Sequence, residues 1–125
     1  MRRSKAELYL HLVWATWQRL PLVTPEIERE VYRCIQEQAQ HLHCVVLAIG
    51  GMPDHVHLLV GCDPQFGIHR LVKYIKGTSS RYLRQEFPQL RRKLPSLWTN
   101  SYFAATVGGV TLETLKRYVE GQKGQ

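Results

Sequence analysis

The stretch Cys44-Val45-Val46-Leu47-Ala48-Ile49-Gly50-Gly51-Met52-Pro53-Asp54-His55-Val56-His57-Leu58-Leu59-Val60-Gly61 decides the fold. Two apolar runs, 44–51 and 55–61, flank a Met-Pro-Asp turn, and together they read as a β-hairpin. Side chains alternate across a strand, so His55 and His57 share one face and Val56 takes the other. The rest of the second run is apolar, which makes two histidines costly there unless they have partners. Two imidazoles side by side on a rigid strand chelate a divalent ion. A His-x-His pair is a weak sign by itself, because two polar residues on an exposed face give the same pattern.

Upstream of the hairpin, residues 7–17 are apolar on both faces, as in a central strand. Thr24-Pro25-Glu26 is a helix start: a hydroxyl cap, a proline at the first helical position and an acid near the positive end of the dipole. Ile27, Val31, Cys34, Ile35, Ala39 and Leu42 follow at helical spacing, which carries the helix to about His41. Downstream, Ile68, Leu71, Val72, Ile75, Ser79, Tyr82 and Leu83 form a second stripe that stops by Phe87-Pro88. Residues 89–98 read as a basic loop and 100–107 as a fourth strand. Gly108-Gly109 is expected to turn the chain, and Thr111 to cap a last helix over Leu112–Gln122. The order β-α-β-β-α-β is the α+β, ferredoxin-like (RRM-like) split βαβ pattern, here with an extra C-terminal helix. That topology centres the first and third strands, and the third carries the histidines. Neither a repeat nor a Ser/Gly linker interrupts residues 1–125, so one domain is expected.

The charge is localised. Residues 66–98 hold Arg70, Lys73, Lys76, Arg81, Arg84, Arg91, Arg92 and Lys93 against Glu86 alone, which accounts for the whole net charge of +7. Such a segment is a candidate phosphate-binding surface, although a solvated helix face kept basic for solubility has the same composition. Cys34, Cys44 and Cys62 are odd in number and lack C-x-x-C spacing, so reduced core cysteines are expected. No apolar run approaches the roughly 20 residues that span a bilayer, and no signal-peptide core follows the basic N-terminus. A cytoplasmic protein without membrane contact is the expectation.

The last helix offers further chemistry. Tyr118 and Gln122 are four apart and share a face, with Leu115 and Val119 beside them to anchor it. A helical Tyr is ordinarily an amphipathic core residue and a Gln near a C-terminus a solvated one. A phenol with a pKa of about 10 is a weak nucleophile at neutral pH, and a metal that polarises a phosphate compensates for this. The product, a phosphotyrosine, stores the energy of the broken linkage for later resealing.

Pro53-Asp54-His55-Val56-His57-Leu58-Leu59-Val60 resembles the His-hydrophobe-His signature of HUH single-strand nucleases. Tyr118-Val119-Glu120-Gly121-Gln122 resembles the Tyr-x-x-x-Gln motif of their single-tyrosine transposase branch. Leu12-Val13-Trp14-Ala15-Thr16, Lys76-Gly77-Thr78-Ser79-Ser80-Arg81 and Trp98-Thr99-Asn100-Ser101-Tyr102-Phe103 are similar to that branch as well, so the resemblance runs through roughly residues 8–122. The family is the TnpA-type transposases of the smallest prokaryotic insertion sequences, which includes repeat-associated relatives. The resemblance implies that His55, His57 and Gln122 hold Mg²⁺ or Mn²⁺ and that Tyr118 is the nucleophile. It implies DNA hairpins near element ends as substrate, cleavage of one strand and a 5′-phosphotyrosine. It also implies a homodimer in which the Tyr helix of one subunit completes the His pair of the other. Lys76 and Arg81 fall in a motif placed near DNA, whereas the other basic residues rest on charge alone. His11 and Asp54 are at most partners of the ligands.

Two other readings stand beside this one. A non-catalytic single-stranded nucleic-acid-binding module would use Tyr9, Trp14, Tyr102 and Phe103 to stack bases, and would bind equally well in chelator. A domesticated nuclease acting on chromosomal palindromes would keep the chemistry and lose the mobile element.

Overall fold

A computed structural model of the chain describes residues 8–63, 65–92 and 94–121. Four strands, β1 (Leu8–Ala15), β2 (Val45–Met52), β3 (His55–Cys62) and β4 (Phe103–Thr106), form an antiparallel sheet in the order β2-β3-β1-β4. With α1 (Pro25–His41) and α2 (Ile68–Glu86) the chain follows the split βαβ order, and α3 (Gly109–Gly121) is the added helix. β1 and β3 are central, as the topology requires.

The alternation in β1 and β3 separates two worlds. Leu10, Leu12 and Trp14 with Val56, Leu58 and Val60 turn toward α1 and α2, where Ile27, Val31, Ile35, Leu71, Val72 and Ile75 complete the main core. At about 25 cal/mol per Å² of apolar surface, this burial is the main drive for the fold. Thr24 caps α1 by accepting a hydrogen bond from the Ile27 N–H at 3.4 Å, with Pro25 in the first turn. The opposite sheet face is covered in part by α3: buried Val119 sits on Ala48 and Leu59, with Leu112 and Leu115 beside it. His55 and His57 lie on this second face.

Three boundaries differ from the sequence reading. Thr111 does not cap α3: the first helical bond runs from the Leu112 N–H to the Gly108 carbonyl, so the helix starts at Gly109 and Thr111 lies in its first turn. The fourth strand is shorter than 100–107, pairing with β1 only over 103–106. Nor is 89–98 a plain basic loop. It opens with a 3-10 turn at Pro88–Leu90, and Leu90, Leu97 and Trp98 are buried in the main core. The Trp98 Nε1–H donates to the Ser79 hydroxyl at 2.9 Å, which ties the segment to α2.

Cys34, Cys44 and Cys62 are buried thiols outside any disulfide, as expected. Among the described residues no helix is long and apolar enough to cross a membrane.

Candidate active site

The hairpin turn fixes the first histidine. At Gly51, opposite Val56, a Cβ would collide with the backbone oxygen of His55, so only glycine lets β2 approach β3 this closely. The Asp54 carbonyl receives the Thr16 N–H at 2.9 Å, which pins the turn to the end of β1. Gln18 and Arg19 take left-handed φ values of 54° and 56°. Arg19, so placed, donates from Nε and one terminal nitrogen to Asp54 Oδ2 at 3.1 and 2.9 Å. The other carboxylate oxygen of Asp54 accepts from His55 Nδ1 at 2.8 Å. Burial pushes the Asp54 carboxyl up, but the hydrogen bonds from His55 and Arg19 outweigh it and hold the group below its ordinary value.

His57 is buried, with 7% exposure. Burial, together with the neighbouring His11 and His55, lowers its pKa to about 4, so the ring is neutral at pH 7. Its Nδ1 lies 2.9 Å from His11 Nε2. The rings of His55 and His57 are 5.0 Å apart at 68°. Each therefore has Nδ1 engaged within the protein, and Nε2 is the nitrogen left for a ligand. Imidazoles held in this way by outer partners are the donor chemistry of a divalent metal site.

Tyr118 comes from α3. The buried Val119 next to it seats the helix on the sheet, and the Tyr118 ring meets His57 edge-on at 5.6 Å and 82° while staying about half exposed. The structure thus brings His55, His57 and Tyr118 together within one chain. Gln122 lies outside the described residues, and among those described no three His, Cys, Asp or Glu side chains are arranged to hold a metal ion. The two histidines fit such an ion and need further ligands from elsewhere. A shallow cavity of about 440 Å³ opens beside them, walled by Val13, Arg19, Thr99, Ser101, Tyr102 and Phe103.

A larger groove of about 800 Å³ runs along α2 and shares Thr99 and Tyr102 with that cavity. Of the basic residues expected to meet phosphate, Lys73, Lys76, Arg81, Arg84 and Arg91 line it. They are not equivalent. Arg84 donates to the Leu94 and Pro95 carbonyls at 2.6 and 3.1 Å, and so braces the loop. Lys76 donates to the Thr99 and Ser101 carbonyls at 2.6 and 3.0 Å, and burial lowers its pKa. Lys73 and Arg81 are exposed along the groove. Arg70 lies outside it, its guanidinium 4.5 Å from the centre of the Phe66 ring. Arg92 is exposed outside the groove, and Lys93 falls outside the described residues. Of the aromatics a base-stacking module would use, Trp14 is 2% exposed in the main core and unavailable, while Phe103 is open.

The groove escaped the sequence reading, which named His11 only as a partner of the ligands at most and did not say which of them it meets. The basic residues signalled the groove, but Gly77, exposed in mid-helix on the groove wall, was an unused clue.

Comparison with known proteins shows the family to which this fold belongs. Residues 4–122 match the family model described as "Transposase IS200 like". The chain is 34% identical to the ISDra2 transposase TnpA of Deinococcus radiodurans over 98% of its own length and 91% of that protein's. It is 26% identical to the transposase for insertion sequence element IS200 of Salmonella typhimurium, covering 90% of this chain and 74% of that one. A crystal structure of a candidate transposase from Deinococcus radiodurans superposes with a TM-score of 0.78 at 32% identity, covering all of both chains. A REP-associated tyrosine transposase bound to a REP hairpin shares the fold, with a TM-score of 0.67 at 12% identity over 95% of this chain and 68% of that one.

Proposed function

The chain belongs to the IS200-like transposase family, and from that premise we propose that it cuts and rejoins single-stranded DNA at hairpin-bearing element ends through a 5′-phosphotyrosine. The observation that carries this is the placement of the Tyr118 ring against His57, beside His55. His55 and His57 hold Mg²⁺ or Mn²⁺ through Nε2, and Gln122 is the third protein ligand. The ion, when bound, polarises the scissile phosphate and stabilises the charge that develops on it. The Tyr118 oxygen forms a bond to phosphorus and the bond to the 3′ oxygen breaks. The leaving oxygen gains a proton to become a 3′-hydroxyl, and the phenol proton is lost to solvent. The reverse attack by a 3′-hydroxyl reseals a strand without ATP.

The groove along α2 carries the flanking strand. Lys73 and Arg81 meet its phosphates, with Lys76, Arg84 and Arg91 adding field while they brace the groove, and Arg70, Arg92 and Lys93 adding to the basic surface around it. Glycine costs a helix interior roughly 0.5–1 kcal/mol relative to alanine. Gly77 has no atom within 4 Å of where its Cβ would stand, so packing within the chain does not demand it. Close approach of a DNA backbone does. Hairpin recognition is proposed by likeness to the hairpin-bound relative. The working unit is a homodimer, acting in the cytoplasm, in which α3 of each subunit takes on the other the same seat beside the His pair that it occupies here on its own sheet.

The test is cleavage of a fluorescent hairpin oligonucleotide from the element end. Strand cleavage is expected with Mn²⁺ and not with EDTA, and His57→Ala should abolish it while hairpin binding persists. Cleavage that survives EDTA, or that survives His57→Ala, contradicts the metal assignment. Binding that is equally tight in chelator with no cleavage under any condition would favour the non-catalytic module.

A further inference from the structure

The polar neighbour of His57 is a second imidazole, from another strand. β1 and β3 pair with His11 opposite Leu59 and Val13 opposite His57, so His11 and His57 are diagonal neighbours on one sheet face. His11 Nε2 and His57 Nδ1 are 2.9 Å apart and the ring planes differ by 17°. Phe103 on β4 closes the other side of His11, edge-on at 6.2 Å. His11 is held in place from two strands, yet neither the nucleophile nor the ligand set uses it.

A neutral imidazole carries one proton for two nitrogens. A ring that offers Nε2 to a metal keeps its proton on Nδ1, and the partner of Nδ1 decides whether it does so. His55 has the Asp54 carboxylate, which can only accept. His57 has His11, which accepts at Nε2 only when its own proton is on Nδ1. The opposite arrangement would put the His57 proton on Nε2 and block that nitrogen.

We propose that His11 is a positioning residue that accepts a hydrogen bond from His57 Nδ1–H and so keeps His57 Nε2 open for the divalent ion. The proposal rests on the metal-dependent reading above. The two ligands are thus supported unequally, His55 by a carboxylate chained to Arg19 and His57 by a neutral ring on the next strand.

The experiment uses the full chain and two readouts. Long-range ¹H–¹⁵N spectra of the metal-free protein report which nitrogen of His57 bears the proton. The expected form is Nδ1–H in the parent, shifting toward Nε2–H in His11→Phe. Titration with Mn²⁺ alone, without DNA, should show about 10- to 100-fold weaker binding in His11→Phe. His11→Gln, whose amide oxygen can accept the same bond, should recover most of it. A parent His57 protonated at Nε2 overturns the proposal, as does undiminished Mn²⁺ affinity in a folded His11→Phe. If His11→Phe does not fold, His11→Leu, which cannot accept, is compared with His11→Gln: weaker Mn²⁺ binding and a shifted His57 tautomer in His11→Leu alone support the proposal, and no difference between the two overturns it. His57→Ala serves as the control for the metal reading itself. Mn²⁺ binding unchanged by that substitution sinks the metal site, whereas the spectra still judge the hydrogen bond.

Discussion

At the residue scale, the site depends on keeping the His57 imidazole neutral inside a protein. His57 has a folded pKa of about 4, against an ordinary value of 6.5. Between those values the unfolded chain binds the proton and the folded chain does not. Stability therefore falls as pH drops from about 6.5 to about 4, and this contribution is flat above and below the window. Thermal unfolding of the metal-free chain across that range should show the loss, and His57→Gln should remove part of the slope. Equal slopes in the two proteins would mean that His57 is not held neutral. The His-x-His pair was legible from alternation alone, and so was its sharing of a face. Sequence offered His11 as a partner of the ligands at most and could not pair it with His57, because 46 residues separate the two and only the β1–β3 register brings them together.

At the scale of elements, the long helices announced themselves. α1 has a capped start and a periodic stripe, and α2 keeps its stripe until Pro88. The short elements did not. β4 holds four residues and no clear alternation, so its ends are set by pairing with β1. In 89–98 the basic residues drew attention away from Leu90, Leu97 and Trp98, whose burial anchors the loop without any period to betray it. α2 also carries a test of the groove. Gly77→Ala removes a helix-interior glycine where a methyl group meets nothing, so it should stabilise the fold by about 0.5–1 kcal/mol. The same methyl stands in the proposed path of the DNA and should weaken single-strand binding. Calorimetry and fluorescence anisotropy on one variant read both effects. Raised stability with unchanged DNA affinity would remove the strand from this groove.

At the scale of the molecule, the family resemblance stated the composite dimer, and the single chain sets its terms. Tyr118 already meets the His57 of its own chain, and α3 is seated through Val119 on Ala48 and Leu59. Exchange of α3 between two subunits must leave that seat and take the same seat opposite. Mixing inactive His57→Ala with inactive Tyr118→Phe subunits distinguishes the arrangements. With exchanged helices a mixed dimer has one intact site, so cleavage should return to a fraction of the parent rate. No recovery in demonstrably mixed dimers would mean that each helix serves its own sheet. The order of strands and the central place of the histidines were legible because topology follows from element order, whereas a subunit exchange of the kind proposed would leave no periodicity in the chain.

The central claim is that Tyr118 attacks DNA. Its most direct measurement is the covalent adduct formed with a single-stranded element end and Mn²⁺, resolved under denaturing conditions and mapped by peptide mass. The parent protein should give an adduct on the peptide containing Tyr118, and Tyr118→Phe should give none while still binding the hairpin. An adduct that persists in Tyr118→Phe, or one that maps to another residue, would contradict the account.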